Sequence, residues 1–402
     1  MSEQQIDVHG WTTNGFEGVR DAFARNFADG SEVGAAFSAY HRGTQVVDLW
    51  GGIADAQAGT AWNEDTIVLV YSTTKGMTAI CANKLAQEGA LDFDAPVTKY
   101  WPEFGQAGKE DVPVSYLLSH RVGLPDIDGP MSLDDALAWD EVVEALARQA
   151  PIWDPGSQHG YHATTYGWLA GEVVRRITGK SLGTYFREEV ATPLGLSTWI
   201  GLPESEEPRV ARLIGWGNDS AGDSGGALFD ASELDEATRA MLEPIIGPDS
   251  LLMRALTAPG GALSGGVWNE RAVRAAEIPA ANGVSDARSI ARMYAACIGE
   301  VDGVRLLTEE QLKQATTQQT SGPNVVLMNM DIQFGLGFML PSTIMALGGP
   351  NSFGHFGAGG SMGWADPDAE FGFGYVMNKM AMGLAGDTRT SNLVNACYAA
   401  IS

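Results

Sequence analysis

Cysteine is scarce: Cys81, Cys297 and Cys397 are the three in 402 residues, far apart and odd in number. That count excludes a disulfide framework and suits a reducing compartment. Lysine and arginine are also few, 25 against 50 acidic residues, for a net charge of −25 and no basic cluster. Such a surface repels phosphate backbones and anionic lipid, so neither nucleic acid nor a membrane is expected as a partner. No apolar run approaches the roughly 20 residues needed to cross a bilayer. The opening "MSEQQIDVHG" has no basic stretch followed by an apolar one, so no signal peptide is expected and the cytoplasm is the expected location. Despite 50 glycines there is no G-x-x-x-x-G-K-[ST] and no strand-borne G-x-G-x-x-G, which argues against a nucleotide cofactor. His159-x-x-His162 has the spacing of a metal pair, but no third ligand lies at a fitting distance in sequence and no H-x-H-x-D-H occurs. Neither a metal nor a cofactor is expected.

What the chain does contain is an ordinary globular mixture, 45% hydrophobic and 19% charged. Its length exceeds the size at which one core usually stops growing, so two domains are expected. "VGAAFSAYHRGTQVVDLWGG" reads as a hairpin turning at His41-Arg42-Gly43, and "IVLVYS" as a strand delivering the chain to Ser72. From Ser72 to about Gln87 the apolar residues recur every three or four positions, the mark of a helix, with Gly89 as its stop. The middle is helical: one helix begins at a Ser132 N-cap, another ends at Gly179, and a third opens at a Thr308-x-x-Gln311 capping box. Residues 215–230, rich in Gly, Ser and Asp, read as a loop. Strands return in "IQFGLGFML" and in a hairpin turning at Pro367-Asp368, before a final helix over 388–400. The pattern predicts an α/β (α+β) fold: an antiparallel sheet flanked by helices, built from residues 1–80 and 280–402, with a mainly helical domain, 81–279, inserted and the active site between the two.

Three serines carry hydrolase-like signatures. Ser224 sits in Gly222-Asp223-Ser224-Gly225-Gly226, but that chemistry needs a β-barrel, and the string lies in a loop within a helical region. Ser361 sits in G-x-S-x-G, yet a strand rather than a helix follows it and no histidine lies beyond residue 355, which excludes a nucleophile elbow. Ser72-Thr73-Thr74-Lys75 differs. It follows an extended apolar run and opens a helix, so serine and lysine share a helix face near the positive end of the helix dipole. A lysine within reach of the hydroxyl can take its proton if part of its population is neutral. With seven lysines in the chain, the spacing carries more weight than it would in a lysine-rich protein.

The surroundings of that motif resemble the serine β-lactamase-like superfamily, and most of all the family VIII carboxylesterases, relatives of class C β-lactamases and penicillin-binding proteins. "LLSHRVGLP" at 117–125, "WDPGSQHGYHATTYGWLAGEVV" at 153–174, "IPAANGVSDARSIARMYA" and "GHFGAGGSMGWADP" fall in the order those proteins have them. The resemblance implies Ser72 as nucleophile, Lys75 as its partner, and Tyr161 as the general base and acid, its phenolate favoured by the Lys75 ammonium. His355-Phe356-Gly357 stands where β-lactamases have Lys-Thr-Gly on an edge strand. That implies an oxyanion hole from the N–H groups of Ser72 and Ala358, with His355 supporting the tyrosine or lining the pocket, Gly357 beside it, and Trp364 lining the acyl site. Two departures stand out: Tyr161-His162-Ala163 lacks the asparagine of Tyr-x-Asn, and His355 replaces a lysine cation. Both disfavour β-lactams and leave an ester-cleaving acyl transfer intact. A small ester is therefore the expected partner. Weak β-lactamase, D-amino-acid peptidase and acyltransferase chemistry, or a non-catalytic ligand-binding role, are the alternatives.

Overall fold

Arg42 and Gly43 both take positive φ, 54° and 72°, the geometry that a two-residue hairpin turn requires and glycine supplies at no steric cost. They join β2 (Gly34–His41) to β3 (Thr44–Asp55). The computed structural model describes residues 7–215, 243, 247–345, 347–381 and 387–402. Around this hairpin an antiparallel sheet is assembled from both ends of the chain. β1 is Val8–Thr12, β4 Thr60–Ala61, β5 Val68–Leu69, β6 Thr198–Trp199, β7 Val284–Ser285 and β8 Gln333–Phe334. β9 is Met339–Leu340, β10 Phe353–Phe356, β11 Met362–Asp366 and β12 Phe371–Met377. The order is β1-β3-β2-β12-β11-β10-β9-β8, with β4 on β3, and a second small sheet runs β5-β7-β6. The expected antiparallel sheet fed by both termini is present, closed where β12 pairs with β2 along its whole length.

The longer helices are α1 (Glu17–Ala28), α2 (Thr74–Gln87), α3 (Trp139–Arg148), α4 (Thr165–Thr178), α5 (Ala287–Ile298) and α6 (Thr388–Ala399). β12 shows how the sheet is covered. Phe371 meets Phe16 and Tyr398, at ring separations of 6.4 and 5.5 Å, beside α1 and α6. Gly372 and Gly374 alternate to the other face, where α5 lies so close that an added Cβ would meet its backbone at 2.5 and 2.1 Å. Every residue of β12 is buried for this reason, and each aromatic so buried contributes about 1.5–3 kcal/mol.

Several elements differ from the sequence reading. "IVLVYS" is a strand only at Val68–Leu69. "IQFGLGFML" is two short strands around Gly335–Gly337. The helix begun by Ser132 stops at Leu137 and restarts at Trp139, because Ala138 is extended. Thr308 caps its helix through Gln311 N at 3.1 Å, but the Gln311 side chain reaches Asn83 rather than turning back. β10 is not an edge strand, since β9 and β8 continue the sheet beyond it. Positions 80 and 81 lie inside α2, and one apolar core runs from Phe37 in the sheet to Trp168 and Leu182 among the helices. Among the described residues no helix is long and apolar enough to cross a membrane.

Candidate active site

Four apolar residues, Ile67 to Val70, bury themselves ahead of α2 and bring the chain to a tight turn at Tyr71–Thr73. Tyr71 has φ 44°, a left-handed conformation that costs a bulky residue on the order of 1–3 kcal/mol. The surroundings hold it there. Thr74 Oγ1 donates to Tyr71 O at 2.5 Å, the Tyr71 ring lies 5.1 Å from that of Trp268, and Val70 N donates to Gly283 O at 2.8 Å. From the far side buried Ser361 donates to Val70 O at 2.7 Å and meets Thr73 Oγ1 at 3.0 Å. Ser361 is thus a buttress for the turn that carries Ser72. Gly357 completes the contact: a Cβ there would lie 2.1 Å from Ser361 Oγ and 2.2 Å from Val70 O. A Gly357→Ala variant is expected to lose about 1–3 kcal/mol of stability and to lose ester turnover more than its melting point alone explains, measured by denaturant melts beside kinetics.

Lys75 follows one helical turn after Ser72 and is fully buried. Its Nζ lies 3.1 Å from Ser72 Oγ, 2.5 Å from Ala163 O and 3.0 Å from Ala280 O. No carboxylate pairs with it among the described residues, and desolvation holds its pKa well below the ordinary lysine value. A neutral amine has two N–H bonds and one lone pair. In that form the two carbonyls take the N–H bonds, which leaves the lone pair for the Ser72 hydroxyl.

Tyr161 is buried, and its phenol hydrogen-bonds Ser72. Its ring is stacked between Phe334 and His355, at 6.0 and 6.1 Å, with Lys75 Nζ 4.8 Å from its centre. Its N–H donates to Asn324 Oδ1 at 3.1 Å, which fixes the segment. Burial raises the phenol pKa, and the Ser72 hydrogen bond only partly offsets this. Burial thus works against the charged form of both Lys75 and Tyr161, opposite in direction to the phenolate–ammonium pair that the resemblance implies.

Ser72, Tyr161 and Ala358 line one narrow pocket, walled by Tyr71, Ala163, Thr164, Leu256, Trp268 and Ala281. Among the described residues neither the Ser72 nor the Ala358 N–H donates to a protein acceptor. Ser72, Lys75, Tyr161 and Ala358 are thus brought together at one pocket.

The β-lactamase family model matches residues 19–396. The chain belongs to the β-lactamase family. Esterase/β-lactamase LipL of Mycobacterium tuberculosis is 37% identical over 372 residues, covering 91% of this chain and 81% of that protein. A solved family VIII carboxylesterase is 39% identical with a TM-score of 0.86, spanning 98% of this chain and 100% of that one. A penicillin-binding protein homologue from Caulobacter crescentus is 38% identical with a TM-score of 0.82, spanning 98% and 100%.

Three histidines of this β-lactamase-family chain lie around Tyr161. At the Lys-Thr-Gly position, His355 Nδ1 contacts Phe356 O at 2.7 Å while buried Nε2 has no partner. Nδ1 therefore carries the proton and Nε2 shows a bare lone pair beside Tyr161. Burial and the nearby Lys75 lower the His355 pKa to about 3, so the ring stays neutral. His162 is fully occupied, Nε2 accepting from Leu124 N at 2.9 Å and Nδ1 facing Gly160 O at 2.6 Å, which leaves no lone pair for a metal. His120, unremarked in the sequence, accepts from His162 N at 3.2 Å and lies 5.0 Å from the Tyr161 ring.

Trp364 does not line the pocket. Strand alternation sends Gly363 toward α5 and Trp364 to the opposite face, against Phe356 at 5.1 Å, with Nε1 donating to Leu347 O at 3.0 Å. Ser224 and its glycine-rich string lie outside the described residues. The pocket walls Leu256 and Trp268 carried no motif that could have announced them; Ala163, Ala280 and Ala281 lie in stretches that carry the resemblance, but with no side chain to mark their part.

Proposed function

We propose that this protein is a serine hydrolase that cleaves carboxylic esters of short acyl chains through a covalent acyl-enzyme on Ser72. The observation that carries the reading is the Lys75 amine at 3.1 Å from Ser72 Oγ with its N–H bonds committed to two carbonyls. In the first step the Ser72 proton passes to the Lys75 lone pair, and Oγ bonds to the ester carbonyl carbon. The carbonyl π electrons move to its oxygen, which the Ser72 and Ala358 N–H groups stabilise. Lys75 is now a cation and lowers the pKa of the phenol beside it. Tyr161 gives its proton to the departing alkoxide as the carbon–oxygen bond breaks, and Lys75 returns a proton to Tyr161. Water then attacks the acyl-enzyme by the same route in reverse.

The substrate side of this reading rests on charge. The His355 lone pair offers no counter-charge to a carboxylate, and Ala163 offers no amide, so an uncharged small ester fits better than a β-lactam. A cytoplasmic location belongs to the same proposal, supported by three free, buried thiols. The test is incubation with a fluorophosphonate, peptide mass mapping, and comparison of an activated acetate ester with a chromogenic cephalosporin. A single adduct on Ser72, none in Ser72→Ala, and turnover of the ester far above the cephalosporin are expected. An adduct elsewhere, or an unchanged burst in Ser72→Ala, rejects the reading.

A further inference from the structure

Arg389 is 3% exposed, a charge buried at the first turn of α6, and nothing in the reaction as written uses it. Its contacts are specific. Nη2 donates to Gly359 O at 2.5 Å and to Asp387 Oδ2 at 2.6 Å. Nη1 donates to Lys379 O at 2.9 Å and to Glu32 Oε2 at 3.2 Å. Glu32 is itself buried, with its other carboxylate oxygen unpartnered. Burying a guanidinium is costly even when carboxylates neutralise it, and in this place its planar fork ties the backbone at Lys379 to the turn that holds Gly359. Residues Ala358–Gly360 form that turn. Gly357 N donates to Ser361 O at 2.7 Å and Gly360 N to Gly357 O at 3.1 Å, which close it from within. Ala381 N at 3.0 Å and Arg389 hold Gly359 O from outside. The oxygen that Arg389 grips belongs to the Gly359–Gly360 peptide, two peptide units on from the one that carries the N–H of pocket-lining Ala358.

We infer that Arg389 is a positioning residue for the oxyanion hole, anchoring the Ala358–Gly360 turn to the C-terminal helix so that the Ala358 N–H is aimed before substrate arrives. The inference rests on the proposed role of Ala358. An amide displaced by a fraction of an ångström stabilises the transition state less while ground-state binding changes little. The loss therefore falls in kcat.

The test compares Arg389→Ala, Arg389→Lys and the wild type, with Arg288→Ala as a control. Arg288 pairs with Asp48 at 2.8 Å away from the pocket. Arg389→Ala is expected to lower kcat about 10- to 100-fold with KM little changed, and to slow fluorophosphonate labelling of Ser72 in parallel. Millimolar guanidinium chloride restores part of the rate by filling the vacated site. Arg389→Lys, with one donor group instead of a fork, falls between, and decides the matter if the alanine variant does not fold. Arg288→Ala keeps its kcat. Wild-type kcat in folded Arg389 variants, a loss confined to KM, or an equal loss in Arg288→Ala overturns the inference. Absence of any Ser72 adduct in the wild type overturns the reading beneath it instead.

Discussion

Lys75→Met is expected to abolish ester turnover, by about 10³-fold or more, and to remove a pH dependence of stability expected of the wild type. The first effect follows from losing the amine that touches Ser72 Oγ and with it the general base of the proposed route, typically worth 10²- to 10⁴-fold. The second follows from desolvation, which lowers the Lys75 pKa in the folded protein. An unfolded lysine keeps a value near 10.4. Between the folded and unfolded values the unfolded chain binds one proton more than the native one, so native stability rises with pH, at about 1.4 kcal/mol per pH unit. Below the folded value the slope vanishes because both states hold the proton. Above about pH 10.4 neither does, and the native state carries no penalty. Denaturant melts of both proteins from pH 7 to 9 check this, because other titrating groups cancel in the difference. A wild-type-minus-variant stability that stays flat across that window means Lys75 is charged when folded, and the proton route described here fails. Activity has the matching sign: it falls on acidification, as the amine takes up a proton and loses its lone pair.

Tyr161→Phe is the second large effect, and it depends on the leaving group. The phenyl ring keeps its packing against Phe334 and His355, so the fold is expected to survive. On the proposed route Lys75 still takes the Ser72 proton, so attack itself is expected to continue. What is lost is the proton delivered to the departing oxygen. A p-nitrophenolate departs without help, whereas a simple alkoxide does not. The variant is expected to lose roughly 10²- to 10⁴-fold on an alkyl ester and much less on the activated ester. Equal losses on both would place Tyr161 in the attack step instead.

How far the sequence foretold the site depends on where its information sits. Ser72 and Lys75 were legible because helix geometry turns a three-residue spacing into contact. Tyr161 and Ala358 needed the resemblance, since nothing in their local patterns separates them from packed residues. The carbonyls of Ala163 and Ala280 were illegible in principle: every residue has a carbonyl, and only the folded path brings two of them onto one amine. Trp364 was misplaced because a strand's two faces cannot be assigned until its neighbours are known. His162, weighed as half a metal pair, proved to be a clamp on Leu124. The sheet fed by both termini was anticipated, while the split of 332–340 into a hairpin was not, because its glycines read equally well within one strand.

The pairing of β2 with β12 has a consequence for how the protein comes to life on the ribosome. The strand holding residue 38 waits for residue 374 to be made, and the turn bearing Ser72 waits for its Ser361 support. Pairings so distant in sequence form late. A nascent chain therefore exposes Ser72 long before the serine that braces its turn has been made.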